Sequence, residues 1–520
     1  MVIETNIRGW KVRALAGFVV TLWASVAPAR MVNLTLIHTT DLHGHLRPAQ
    51  AYDGRDNLGG MLRVSSRIRS LRATSPNPIL VDCGDVFQGT PESLRTDGLI
   101  MAAVMNRLGY DAWVVGNHEF DWGLDALSEF ITATQAPALG ANLYTREGIE
   151  SALPPIAPYT MLSREGIRIA VIGLTTPGIP SWSRPYLLGP TLVEHSVETL
   201  RTLMPRVKTE KPDLIFLLVH QGYRPFGDDH ANEVEAIHEA FPEIDVILGG
   251  HTHQAIASQT LGSTVYAQAG YYGIWLGVMH LAYDTVAKKL VSVESTLEEM
   301  GPDIPDDPQL LDAWGTLLSE VDQSMQEVLT RAEASLCPET TAWDQSPIQQ
   351  LICAAIAEAV DTDFVLHGAL SPACLEAGPV TEADVWNLIP YENTIGVAWL
   401  TLSEIQTLLA EVRAGKTSIH RHAPYGFTYT IVDSASGETY AGFQDAAGVP
   451  LHPRKRYRVA MNSYVLASGG TRYPQVRRLV DQPIARLTMT GVDTRDAVRQ
   501  YLRQHPSLDP ETLMKGAIRP

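Results

Sequence analysis

The chain has 520 residues, 45% of them hydrophobic and 19% charged, and its 40 basic and 58 acidic side chains give a net charge of −18. That length exceeds one ordinary core and predicts two large domains of a soluble, globular protein. The acidity argues against nucleic acid or an anionic membrane as the main partner, so an anionic substrate must meet local positive charge such as bound metal. The four cysteines (Cys83, Cys337, Cys353, Cys374) are too few and too scattered for a disulfide framework or a Cys-rich zinc site.

The first 29 residues differ from the rest. Arg8, Lys11 and Arg13 precede an apolar run at 14–26, and Ala27-Pro28-Ala29 gives a small-x-small end. That is the layout of a secretory signal peptide. The run is too short for a comfortable membrane span, and no later segment reads as transmembrane, so the mature chain is expected to carry no membrane anchor. Export to the periplasm or the medium is the expectation; a start at Met31, which would leave the chain cytoplasmic, is the alternative.

A β-rich run at 33–39 ends in Thr-Thr-Asp-Leu-His-Gly-His. An amphipathic helix follows at 59–72, a strand at 78–82 running into Cys-Gly-Asp, and a helical stretch at 92–108. The apolar run 111–115 breaks into Gly-Asn-His-Glu-Phe-Asp-Trp-Gly at 116–123. Strands at 139–143 and 167–175 come next, then a helix at 194–207 and a buried strand at 213–219 ending in His220. A helix at 233–241 and a strand at 245–248, ending in Gly-Gly-His-Thr-His, follow. Short apolar strands alternating with helices predict a layered α/β domain over 30–300. An acidic, Pro-punctuated stretch at 298–308 and a long helix at 309–334 make 301–334 a linker and bridge. Residues 335–520 read as a smaller α+β unit, with helices at 347–360 and 401–414, strands at 363–366, 426–432 and 457–461, and a last helix after Asp493. Its basic run Arg454-Lys455-Arg456-Tyr457-Arg458 reads as a solvated strand edge, since cations commonly guard exposed edges.

Five strand ends carry Asp, Asn or His: Asp41 and His43; Asp85; Asn117 and His118; His220; His251 and His253. Open α/β sheets bind ligands beyond the carboxyl ends of their strands, and in a twisted sheet these ends can converge on one edge. A mixed Asp/Asn/His set without thiolate suits zinc, manganese or iron. Two ions need a shared ligand, and the carboxylate of Asp85 is the natural one. Asp121 lies close enough to hold the His118 imidazole as an acid–base pair; its alternative role is to cap the helix from Gly123. Each residue alone reads as a turn or cap residue, and Cys83 as a small core residue. The coincidence of all five ends is a specific signal for a metal centre.

The blocks Asp41-Leu42-His43, Gly84-Asp85 with Gly89, Gly116-Asn117-His118-Glu119, His220 and Gly250-His251-Thr252-His253 resemble the signature of the calcineurin-like metallophosphoesterases. With a second domain behind a helical linker, the chain resembles the 5′-nucleotidase family, which includes UDP-sugar hydrolases and 2′,3′-cyclic phosphodiesterases, from Asn33 to about Arg503. The resemblance implies a β-sandwich with flanking helices, followed by a smaller α+β substrate-binding domain that closes over the substrate. It implies two divalent metal ions, one held by Asp41, His43, Asp85 and His253, the other by Asp85, Asn117, His220 and His251. His118 and Asp121 match the family's catalytic pair. The implied substrate is a small phosphoester, first a nucleoside 5′-monophosphate, with a cyclic phosphodiester, a UDP-sugar or a carrier-bound thiosulfonate as alternatives. A metal-containing binding protein without turnover is the rival from another class.

The second domain departs from the family pattern. His367-Gly368-Ala369-Leu370-Ser371-Pro372 stands where Asn-Gly-Gly-Gly-Ile-Arg is usual, losing both the asparagine and the arginine. Gly469-Gly470-Thr471-Arg472-Tyr473 keeps the aromatic of the usual Gly-Gly-Asp-Gly-Phe/Tyr and loses the aspartate, while Pro390-Tyr391-Glu392-Asn393-Thr394 fits Pro-aromatic-x-Asn. Tyr473 is therefore the candidate for stacking on a base or sugar and Arg472 the candidate for gripping the anion. Tyr425 and Phe427 read as core, and His367 as a satisfied structural histidine.

Overall fold

Along the strand Met31–Thr39, Leu34 and Leu36 point to one face and Ile37 to the other, and all three are fully buried. A strand buried on both sides needs a layer against each face. The computed structural model, which describes residues 30–146, 153–339, 345–413, 422–434 and 437–516, supplies them. The signal peptide expected over 1–29 lies outside the described residues.

The first domain pairs two six-stranded sheets. One runs in the order Lys289–Glu299, Trp275–Asp284, Met31–Thr39, Pro78–Asp82, Ala112–Val114, Ala138–Leu139. The other runs Ala255–Leu261, Thr264–Ala269, Val246–Gly249, Leu214–Val219, Ile167–Leu174, Tyr159–Arg164. Leu34, Leu36, Val81 and Val114 of the first meet Val171, Phe216 and Leu248 of the second in a shared apolar layer. Helices Met61–Thr74, Leu99–Leu108 and Gly123–Ala133 cover the outer face of the first sheet. Helices Ser196–Thr209 and Val234–Ala240 cover that of the second. The result is the layered α/β sandwich expected. Within it Met31–Thr39, Pro78–Asp82 and Ala112–Val114 are parallel, as are Leu214–Val219 and Val246–Gly249. Parallel pairing sends their carboxyl ends the same way.

Several local expectations are corrected. The helical stretch at 92–108 is two helices, Pro91–Leu94 and Leu99–Leu108, separated where Gly98 turns left-handed at φ 82°. The single strand expected at 139–143 is instead Ala138–Leu139 and Leu143–Thr145, the latter paired with Thr191–Val193. The bridging helix is Pro308–Met325, capped by Asp307, whose carboxylate also accepts from Ser65 Oγ (2.5 Å) and Arg69 Nε (2.6 Å) of the first domain. It stops short of 334 because Val328–Ala332 pairs antiparallel with Gly378–Thr381.

The second domain is built on a five-stranded sheet, Ala423–Tyr425, Phe364–His367, Arg456–Asn462, Thr394–Thr401, Thr488–Asp493. Helices Pro347–Ala359 and Thr494–Gln504 pack on one face, Leu402–Arg413 and Pro474–Val480 on the other. The basic run therefore begins a central strand and guards no edge. Arg456 pairs with Glu404 (3.0 Å) and Arg458 with Asp363 (3.0 Å). Phe427 lies in the core on one face of the sheet, and Tyr425 is half-buried against the core on the other, as expected.

Cysteine usage is as sparse as expected. No framework exists, but Cys337 and Cys374 form one disulfide across 37 positions, flanked by reciprocal Leu336–Leu375 backbone hydrogen bonds of 2.8 Å. Cys83 and Cys353 are buried and free. Cross-linking a loop of this size typically stabilises by about 2–4 kcal/mol. Cys374→Ser is expected to lower the unfolding free energy of the second domain by that order in denaturant titration. An unchanged midpoint would refute it.

Candidate metal centre and active site

The five strand ends meet. Donor atoms of Asp41, His43 and His253 lie within 4.8 Å of one another, as do those of Asp41, Asp85 and His220. His253 Nε2 is 3.3 Å from Asp41 Oδ1 and 3.1 Å from His43 Nε2. On the other side Asp85 Oδ2 is 3.0 Å from His220 Nε2, and Asn117 Oδ1 is 3.1 Å from His220 Nε2 and 2.9 Å from His251 Nδ1. Asp85 also faces His43, Nε2 to Oδ2 3.7 Å, so it stands between the two groups. All seven candidate ligands are brought together.

The donor set fits divalent cations. His43 Nδ1 donates to the Gln88 carbonyl (3.0 Å) and His220 Nδ1 to the Cys83 carbonyl (2.8 Å). His253 Nδ1 lies 2.6 Å from the Tyr52 hydroxyl. A proton held on Nδ1 leaves the Nε2 lone pair for a metal, the usual arrangement behind ligating histidines. Burial drives His43 and His251 down to about 3, keeping them in the neutral form a metal requires. Burial alone would raise the Asp85 carboxyl, but the neighbouring His220 and His118 hold it well below the ordinary range. Two imidazole nitrogens facing each other at 3.1 Å beside ionised carboxylates form a cluster that a shared cation satisfies.

Backbone geometry explains how so many side chains reach one point. Asp41 (φ 50°), His43 (φ 48°), Asp85 (φ 56°), His251 (φ 68°) and His253 (φ 54°) are all left-handed. Such strain in non-glycine residues persists only where the surroundings over-determine it, typically at functional sites. Glu119 restrains the turn at one of them, Asp85. Fully buried, it accepts from Asp85 N (2.9 Å), Val86 N (2.7 Å) and Gly116 N (2.6 Å), tying two strand ends together. Gly116 must lack a side chain, because a Cβ there would come within 2.3 Å of Asp85 Oδ1.

His118 stands beside the ligands. Its ring centroid is 5.2 Å from that of His43, and its Nδ1 is 2.6 Å from Asp121 Oδ2. Burial opposes protonation of His118, but the carboxylates of Asp121 and Asp85 outweigh it and raise the ring to about 10. In the protonated ring Nδ1–H points to Asp121 and Nε2–H is free of that contact. Asp121 closes the short helix His118–Phe120 rather than capping Gly123–Ala133, whose preceding residue is Trp122.

The second domain meets this edge with Tyr391, 47% exposed, its ring inclined 16° to that of His118 with centroids 6.4 Å apart. Tyr473 is placed elsewhere: only 3% exposed, it sits in the second domain's core beside His422, with the left-handed Gly469 backbone against its ring. A ring so covered has no face to offer a base. Arg472 is exposed. The same block docks onto the first domain, Gly470 N and Ser468 Oγ each donating to the Ser181 carbonyl at 3.0 Å. His367 is structural, its Nδ1 donating to Gly368 O and its Nε2 accepting from Asn462. Sequence reasoning missed Tyr52, Gln88 and Glu119 as supports of the ligands, and quoted Tyr391 without assigning it a role. The one available cue was that all but Tyr52 lie within motif blocks or beside them.

Among the described residues no helix is long and apolar enough to cross a membrane. The calcineurin-like phosphoesterase family matches residues 34–255, and the 5′-nucleotidase C-terminal domain matches residues 328–478. The protein UshA of Yersinia enterocolitica is 27% identical over 94% of each chain. A 5′-nucleotidase of Vibrio vulnificus is 25% identical, covering 98% of this chain and 97% of that one. The crystal structure of a 5′-nucleotidase precursor from Thermus thermophilus shares the fold, with a TM-score of 0.67 at 24% identity over 92% of this chain and 97% of that one. Two matched domains in this order, over a convergent Asp/Asn/His centre, make the chain a member of the 5′-nucleotidase family and a phosphoester hydrolase.

Proposed function

We propose that the protein holds two divalent cations and hydrolyses nucleoside 5′-monophosphates or closely related small phosphoesters outside the cytoplasm. The observation that carries this reading is the convergence of seven ligand-type side chains around Asp85. Asp41, His43, Asp85 and His253 would hold one ion, and Asp85, Asn117, His220 and His251 the other. Bound there, the ions supply Lewis acidity toward the phosphoryl group and a nucleophilic water. The chain's own part is proton and charge management. His118, held protonated by Asp121 at 2.6 Å, stabilises the charge that develops on phosphoryl oxygens or delivers a proton to the leaving oxygen. Tyr391, exposed beside His118, takes over base or sugar stacking from the buried Tyr473, and Arg472 remains the exposed cation of the substrate block. Two features favour export: the charged-then-apolar leader and the Cys337–Cys374 bridge, which suits an oxidising compartment.

The test is product release from AMP, UMP, UDP-glucose, 2′,3′-cyclic AMP and bis-p-nitrophenyl phosphate by metal-stripped protein, with manganese or zinc added back. Metal-dependent release preferring the monophosphates is expected. Turnover of the generic diester alone would end the nucleotide reading, and equal turnover by the stripped protein would end the metal one.

A further inference from the structure

The metal centre of the first domain is tied to the second domain by an unbroken polar path. His43 Nδ1 faces both oxygens of Gln88, the backbone carbonyl at 3.0 Å and the side-chain Oε1 at 3.3 Å. Gln88 is 1% exposed, and its Nε2 donates across the domain boundary to Glu392 Oε2 at 2.6 Å. The other oxygen of Glu392 accepts from Arg495 Nη1 at 2.6 Å. Arg495 is 2% exposed, donates through Nε to the Ile389 carbonyl (2.9 Å) and lies 3.6 Å from the centre of the Trp386 ring.

The chemistry of these groups makes the path directional. An amide can present either its oxygen or its NH₂, and the two ends are nearly the same shape. An ionised carboxylate only accepts. Glu392, its other oxygen engaged by the buried Arg495 guanidinium at 2.6 Å, therefore takes the NH₂ end of Gln88 and leaves Oε1 toward His43. That oxygen shares the Nδ1 proton with the Gln88 backbone carbonyl and reinforces the tautomer in which His43 Nε2 is the free ligand atom. Without the carboxylate the amide is free to turn, and its NH₂ would oppose the Nδ1–H.

We infer that Glu392, held by Arg495, is a positioning residue of the metal centre: it orients His43 through the Gln88 amide, so that correct seating of the second domain completes a ligand of the first. This rests on the metal-centre reading above. It goes beyond that reading in giving the second domain a part in holding the ion.

The test is manganese binding to the full-length, metal-stripped protein by chelator competition, with thermal unfolding followed in parallel. Glu392→Ala should weaken manganese binding about tenfold, at the low end of what loss of an outer-shell partner costs. The isosteric Glu392→Gln, which keeps the volume but can donate as well as accept, should weaken it less while leaving Tm unchanged. In a Gln88→Met background the Glu392→Ala change should weaken binding less than about twofold further, because its path to His43 is already cut. Wild-type affinity in both Glu392 variants, with or without a drop in Tm, would make the residue mere inter-domain adhesion and overturn the inference. So would full additivity with Gln88→Met. A wild-type protein that fails to bind manganese or zinc would overturn the metal-centre reading itself, a different result.

Discussion

Asp85→Asn is expected to abolish metal-dependent turnover at micromolar metal. The carboxylate lies 3.0 Å from His220 and 3.7 Å from His43, the ligand groups of the two proposed ions, and its other oxygen accepts from His118 N at 2.8 Å. Loss of an outer-shell partner alone weakens metal binding roughly 10–100-fold. Taking that as a floor for each of two ions, occupancy of the complete centre should fall by about 10²–10⁴-fold. Asparagine keeps the size and the oxygen that accepts from His118 N, so the fold should survive. The check is metal content by elemental analysis beside the rate at saturating and limiting manganese. Full occupancy and wild-type rate in the variant would remove Asp85 from the centre.

His118→Ala is expected to separate chemistry from metal binding. The ring is adjacent to the ligands yet is held by Asp121 and takes no place among the seven, so metal content should match wild type. Losing a positioned proton donor typically costs about 10²–10⁴ in rate, or about 3–5 kcal/mol of barrier at 1.36 kcal/mol per decade. The loss should be largest in kcat for AMP, whose ribose leaving oxygen needs a proton. It should shrink for p-nitrophenyl phosphate, whose leaving group departs as the anion. An equal deficit on both substrates would favour charge stabilisation over proton delivery. No deficit on either would remove His118 from the chemistry.

How far the sequence revealed this arrangement depends on whether the deciding interaction was local. Asp41, Asp85, Asn117, His220 and His251 were visible because each follows an apolar strand, and parallel strands in a layered domain end on one side. Tyr52 was not, since nothing in its surroundings predicts a hydroxyl 2.6 Å from a histidine 201 positions away. The same holds for Val328–Ala332. Its neighbours continue a helical pattern, and only the distant partner Gly378–Thr381 makes it a strand. The basic run at 454–458 looked like an edge guard because its acidic partners Asp363 and Glu404 are remote in sequence. Tyr473 failed as a stacking residue for a related reason. A motif position fixes chain order, not which face of a ring the packing covers.

The left-handed backbone at Asp41, His43, Asp85, His251 and His253 sets evolution of this protein against itself. Each such residue costs the fold about 1–2 kcal/mol relative to a relaxed conformation, whereas a glycine at the same place would carry little penalty. Selection for robustness alone would therefore tend to replace these candidate ligands one at a time. Thermostabilising programmes that rank substitutions by folding energy will find their most attractive sites where the hydrolase can least spare them. The surrounding sandwich, with its core closed between two sheets and covered by helices on both sides, is what lets such costly conformations persist.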